Sequence, residues 1–208
     1  KLPAAVAVPG GTVEVAASAF GLTRCHYVTY DGSERQLMPD PASAERATTG
    51  GSLGNNATGA HSLLYGMFGD HLLEAEVVLA DGTVVSLAEE EVGVNAPARV
   101  IPVSKLYKNI RQAALSVREQ HADTVKSHWP RTWRNASGYS LNTLLPWSPA
   151  PPSGWDQAFG GRLPYPPIKP GTVNLARLLA GSEGTLAVVR KMKLRLVPRP
   201  TRTILGVL

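Results

Sequence analysis

The sequence predicts an α+β fold, and three observations carry the prediction. Two valine- and leucine-rich runs meet at Asp81-Gly82 between His71 and Leu87, an amphipathic helical pattern opens at Ser104, and strand-like runs return between Leu186 and Val197. Strands and helices are therefore mixed without the strict alternation that a doubly wound parallel sheet demands. With 43% apolar and 18% charged residues in a chain of 208, a sizeable core can form. No repeat at a solenoid period and no low-complexity linker divides it, so residues 1–208 are read as one domain.

Each element has a local cause. Asp81-Gly82 tolerates positive φ and so suits a tight hairpin between the two apolar runs. Ser104 is placed to cap a helix whose apolar face is Leu106, Ile110, Ala113 and Val117, running to about His128 before Pro130 stops it. Between about residues 146 and 170, Pro, Gly and Trp follow without periodicity, which predicts an irregular excursion. Asn174 to Ala180 then reads as a short helix that Gly181 can end, with Leu186 to Val189 and Met192 to Val197 as two strands.

Composition excludes several function classes. No apolar run approaches the ~18 to 20 residues that span a bilayer, and the opening residues lack a signal-peptide pattern. The single cysteine, Cys25, cannot close an internal disulfide, and no Cys/His spacing suits zinc. A reducing, cytoplasmic location is expected. The formal charge of +5 is spread out, and its densest run, Arg190 to Arg195, alternates with Met192 and Leu194 as a half-buried strand does. A solvated strand face accounts for it better than a nucleic-acid patch.

The segment from Pro39 to Gly69 carries the most chemical information, with glycines at 50, 51, 54, 59, 66 and 69 and adjacent Asn55 and Asn56. Without Cβ atoms, such a run can converge main-chain N–H groups on a phosphate or lie flat against a ring. A turn-rich surface loop explains the same composition equally well. Gly50-Gly51-Ser52-Leu53-Gly54 fits G-x-S-x-G, but Pro39 to Thr49 does not read as the buried strand that a nucleophile elbow needs. Neither the nucleoside-triphosphate loop nor G-x-G-x-x-G occurs. His61, Tyr65 and His71 could transfer protons or attach a cofactor covalently, although lone histidines are more often structural.

Three ordered blocks carry a resemblance. PDPASAERATTGGSLGNNATGAHSLLYGMFGDHLLEAEVVLADGTVV resembles the central segment of FAD-linked oxidases of the vanillyl-alcohol-oxidase superfamily. NLARLLAGSEGTLAVV with KLRLVPRP is similar to the end of the same PCMH-type FAD-binding domain, and RTWRNASGYSL is similar to the D-lactate, glycolate and D-2-hydroxyglutarate dehydrogenase branch. Within that branch the likeness is to proteins that fuse the flavin domain to an iron–sulfur module. The resemblance covers roughly two-thirds of the chain.

The resemblance implies an FAD-dependent oxidation of a small D-2-hydroxy acid, with hydride passing to the flavin. It assigns cofactor binding to Pro39, Asp40, Gly50, Gly51, Asn55, Asn56, Gly59, Gly66, Asp70, Val77, Val78, Gly181, Glu183, Gly184 and Thr185. Arg134 and Tyr139 are the candidates for a substrate carboxylate, since a guanidinium can make two parallel hydrogen bonds to one. The blocks correspond mainly to the second subdomain of the family's domain. A preceding diphosphate loop, a metal-ligating cap domain, an electron-acceptor module and iron–sulfur cysteines are not matched here, so weak FAD retention and an inactive fragment are expected. A non-catalytic remnant that binds a protein or an anion is the alternative. Arg190-Lys191 and Arg24 to Leu37 depart from the family pattern.

Overall fold

The computed structural model describes residues 5–8, 11–20, 26–37, 41–93, 104–136, 138–149 and 168–202. Pro39, Asp40, Cys25 and most of the predicted irregular excursion lie outside the described residues. Helices and mainly antiparallel sheets occur together, as the α+β reading expects.

The central layer is a four-stranded antiparallel sheet. It is built from β2 (Thr12–Ala16), β5 (Leu72–Val78), β6 (Val84–Leu87) and β9 (Val188–Arg195), in the order β2-β9-β5-β6. In β2 the sequence TVEVA buries Val13 and Val15 and exposes Glu14, the alternation of a half-buried strand. Opposite it, Met192 and Leu194 pair with Val15 and Val13. The hairpin predicted around Asp81-Gly82 is present: Gly82 has φ +81, and the Thr83 amide donates to the Asp81 carboxylate at 2.9 Å. Its strand β5 lies beside β9 in one sheet. Leu72, Ala75, Val77 and Val85 are at most 1% exposed, so this sheet forms the floor of the core.

A second sheet orders β1 (Ala5–Val8), β3 (His26–Thr29), β4 (Glu34–Gln36) and β10 (Val197–Pro198). Strand β1 runs parallel to β3, and the other pairs are antiparallel. The chain enters this sheet directly from β9 through Leu196. Two predicted strands, Leu186 to Val189 and Met192 to Val197, are thus corrected to one strand from Val188 to Arg195 and a two-residue continuation. A register shift between Glu76 and Val77 leaves Arg190 without a ladder partner on β5, while its carbonyl accepts from the Ala17 amide, so Val189 still faces Val77 and the break expected there is a bulge.

The predicted long helix is two: α3 (Lys105–Gln120) and α4 (Ala122–His128), meeting at His121 with φ −119 and ψ 12. Ser104 caps α3, accepting from the amides of Leu106 and Tyr107, and donates to Asp81 at 2.7 Å, which pins the helix to the hairpin turn. The predicted face needs correction. Tyr107 and Ala114 are the buried residues, while Ile110 and Ala113 are exposed. Arg111 is drawn onto the protein side by a 2.6 Å ion pair with Glu90, and Arg118 by a hydrogen bond to the Thr172 carbonyl. Polar partners on β7 (Glu89–Glu91) and β8 (Thr172–Asn174), which pair as a ribbon, have rotated the helix away from its most apolar stripe.

The predicted short helix is a 3-10 turn, Leu175–Leu179. Asn174 caps it through the Ala176 amide and reaches the Leu73 carbonyl at 2.9 Å. No helix among the described residues is long and apolar enough to cross a membrane.

Candidate functional site

The glycine-rich run is not an open loop. Thr49–Gly54 is a short helix, α1, whose N-cap Thr48 accepts from the Gly51 amide at 3.0 Å. The Thr49 and Gly50 amides donate to the carbonyls of Ala19 and Ala17, which close the end of β2. Proximity favours glycine at position 50, because a Cβ there would stand 3.0 Å from the Ala17 Cβ and 3.1 Å from its carbonyl oxygen. The amides of Gly50 and Gly51 are therefore engaged inside the protein. The Gly59 amide is likewise taken, by the Ser62 hydroxyl at 2.8 Å.

Past α1, Asn55 is exposed and Asn56 turns inward with φ +44, 4% exposed. Asparagine is among the few residues that enter this region without large strain. The Asn56 side-chain oxygen accepts from the Gly69 amide at 2.9 Å, and its nitrogen faces the Met67 sulfur. After Gly66 (φ +81), the Asp70 carboxylate accepts from the Met67 amide at 2.8 Å and closes a 3-10 turn over Phe68–His71. Burial raises the Asp70 pKa, opposed by the Met67 hydrogen bond and by the charges of Arg177 and Arg195. His71 is fully buried, with Nε2 on the Tyr65 carbonyl, and burial lowers its pKa to about 4. It is a neutral structural histidine, and Tyr65 is also buried.

The second block packs directly on the first. Gly181, Glu183 and Gly184 all have positive φ, at 82, 50 and 79°. The Gly181 amide donates to Leu53 O and the Glu183 amide to Gly54 O. A Cβ on Gly181 would stand 2.8 Å from the Gly138 carbonyl oxygen and 3.9 Å from the Asn56 Cβ, so the third block touches the same point. Tyr139 reaches the Thr185 hydroxyl at 3.0 Å, and Arg134 donates to the Thr58 hydroxyl at 2.6 and 3.2 Å. The geometry thus brings Asn55, Asn56, Arg134, Tyr139 and the turn from Gly181 to Thr185 together. Asn55, Arg134, Tyr139, Glu183, Gly184 and Thr185 are exposed along it.

Val77 and Val78 stand on a central strand paired on both sides, with Val189 and Val85 and with Val188 and Val84. The Val77 side chain is wholly buried. The double pairing puts both valines on an interior strand of the sheet.

Sequence reasoning gave no role to Gly69 and Arg177. Arg177 is 4% exposed within the run LARLL; its guanidinium donates to the Gly69 carbonyl at 3.0 Å, and burial lowers its pKa to about 10. A charged residue inside an otherwise apolar run was the available signal. With Asn56, Asp70, Trp129, Trp133 and Asn135 it lines a recess behind the exposed turn. Among the described residues no group of three or more His, Cys, Asp or Glu side chains could hold a metal ion.

Residues 27–88 match the FAD binding domain family, a segment that includes α1, the Asn56 turn and the β5–β6 hairpin. The chain is similar to the D-2-hydroxyglutarate dehydrogenase of Pantoea ananatis, at 28% identity over 79% of this chain and 14% of that protein. It is 28% identical to the enzyme of the same name from Pseudomonas putida, over 81% of this chain and 14% of that one. The D-lactate dehydrogenase of Archaeoglobus fulgidus is 26% identical over 78% of this chain and 20% of its own length. The chain therefore spans about a seventh to a fifth of these relatives. The matches bear out the resemblance to FAD-linked oxidases and to their D-lactate and D-2-hydroxyglutarate branch.

Proposed function

From this relationship to the FAD-linked oxidases, we propose that the chain is the FAD-binding portion, mainly the second subdomain, of an oxidoreductase that oxidises a small D-2-hydroxy acid. The observation that carries the reading is the convergence of three separated segments, Asn55 to Gly59, Arg134 to Tyr139 and Gly181 to Thr185, on one exposed, backbone-rich surface.

The residues fit part of such a cofactor. Gly184 has positive φ and open space where a Cβ would stand, so a ring or diphosphate can approach its backbone. The exposed Arg134 keeps guanidinium donors beyond its contact with Thr58, and these suit an anionic oxygen. Asn55, Glu183 and Thr185 supply exposed polar groups along the same edge. Gly50, Gly51 and Asn56 act from beneath by fixing α1 and its exit, and Gly66 and Asp70 by closing the adjoining turn. Bound FAD would supply the hydride acceptor for oxidation at the substrate α-carbon.

Within this reading, Tyr139 holds Thr185 at the lip of the turn, and Arg134 joins Thr58 to the segment ahead of it. Both brace the cofactor surface, and Arg134 also offers positive charge to a carboxylate. A substrate-binding cap and an electron-accepting module, which an iron–sulfur cluster would suit, act with this domain in the proposed assembly.

The test is flavin content followed by anaerobic reduction of the full-length parent. D-2-hydroxyglutarate, D-lactate and glycolate are added separately, and bleaching of the flavin absorbance is followed. One of them should bleach it. A parent that holds FAD but is reduced by none of them would overturn the substrate assignment, and a parent without FAD would overturn the whole reading.

A further inference from the structure

We propose that Arg177 is a positioning residue, whose buried guanidinium acts with the Asn56 amide to hold Gly69 from both sides and so sets the shape of the cofactor-facing surface. The proposal rests on the FAD reading above and adds to it a residue that touches no ligand.

Three observations carry it. The Gly69 N–H is held by the Asn56 oxygen at 2.9 Å and the Gly69 carbonyl by Arg177 at 3.0 Å. There is no slack at this point, since a Cβ on Gly69 would stand 2.6 Å from the Ala180 Cβ and 3.0 Å from the Asn56 oxygen. The hold also transmits directly to the exposed turn. Ala180 precedes Gly181, whose amide is bonded to Leu53 of α1, and Asn56 stands at the α1 exit. Moving Gly69 therefore moves Asn56 on one side and the start of the Gly181 to Thr185 turn on the other.

Stability alone accounts poorly for an arginine here. Its Nε is buried and finds no hydrogen-bond partner among the described residues. An unpaired donor on a buried cation is costly, and although the buried Asp70 carboxylate favours the charge, desolvation of the guanidinium outweighs it. The neighbouring Leu175, Ala176 and Leu179 are buried apolar residues, so a leucine or methionine would suit the packing. What an apolar side chain cannot do is hold the Gly69 carbonyl.

The experiment is reconstitution of the full-length parent with FAD, titrated by flavin absorbance and fluorescence. Wild type is compared with Arg177→Met, Arg177→Lys and Asn56→Gly. The glycine permits the positive φ of position 56 and removes the side-chain amide together with its Cβ. Arg177→Met and Asn56→Gly should each weaken FAD binding about tenfold or more and alter the fine structure of the flavin spectrum. Arg177→Lys keeps the charge and one donor and should recover most of the affinity. Circular dichroism gives the folded fraction of each variant, so affinity is expressed per folded molecule. Wild-type affinity per folded molecule in both Arg177→Met and Asn56→Gly would reduce the hold to a stability feature and overturn the proposal, whether or not either variant is partly unfolded. Equal losses in Arg177→Lys and Arg177→Met would also overturn it, because the donor to Gly69 would then be irrelevant. If the wild-type parent bound no FAD, the functional reading would fall first and this proposal with it.

Discussion

Two glycine-bearing segments, Gly50-Gly51 and Gly181 to Gly184, are alike in sequence and opposite in structure. The first lies in right-handed helical backbone with its amides spent on Thr48 and Ala17. The second takes positive φ at Gly181, Glu183 and Gly184 and leaves its far end exposed. In the first, glycine lets a helix press against β2. In the second, it allows a left-handed path that side chains resist. One segment is therefore support and the other surface, a distinction that glycine content alone does not carry.

The largest expected effect is at Gly181, where handedness and crowding coincide. Gly181→Ala should cost about 3 kcal/mol or more, combining left-handed strain with a forced shift of the Gly138 backbone. Urea unfolding measures it, and a cost below about 1 kcal/mol would show that the turn is softer than its contacts suggest.

Acid should weaken the fold through His71, which is buried against the Tyr65 carbonyl. The folded-state pKa of His71 is depressed from 6.5 to about 4. The unfolded chain therefore binds a proton that the folded one refuses. The contribution is fully present above pH 6.5, falls by about 3 kcal/mol as pH drops to 4, and changes no further below. Asp70, with its raised pKa, works in the opposite sense across the carboxylate range, so the profile should be read against that of His71→Leu. Matching profiles would mean that the histidine is not buried and neutral.

Smaller effects separate crowding from handedness. Gly50→Ala meets the Ala17 Cβ and carbonyl but gains about 1 kcal/mol of helix propensity, leaving a net cost of about 1 to 2 kcal/mol. Gly184→Ala has open space and only the strain of positive φ, so about 1 kcal/mol is expected. In FAD titrations of the full-length parent the order should invert: Gly184→Ala, at the exposed turn, should weaken binding more than Gly50→Ala. The reverse order would make the first segment the ligand surface.

Turn chemistry shows where sequence was sufficient. At Asp81-Gly82 and at Asp31-Gly32 the carboxylate accepts from the amide two residues on, at 2.9 and 3.0 Å, and glycine takes φ +81. The first was legible because apolar runs flank it. The second joins strands of only four and three residues, one of them the charged ERQ, so its equally good turn was not read as a hairpin.

The sequence by itself determined features set within a few residues: the Asp81 turn, the Ser104 cap, the stop at Gly181 and the alternation along Arg190 to Arg195. Their causes are steric limits on φ and hydrogen bonds to near neighbours, which need no distant partner. The three motif blocks were also recognisable one at a time. Only tertiary structure decided that α3 would turn toward Glu90 and Thr172, that Val77 would be sealed between two strands, and that Arg177 would close on a glycine more than a hundred residues away. Those outcomes depend on which polar groups lose water together, and a linear pattern of residue types does not specify that pairing.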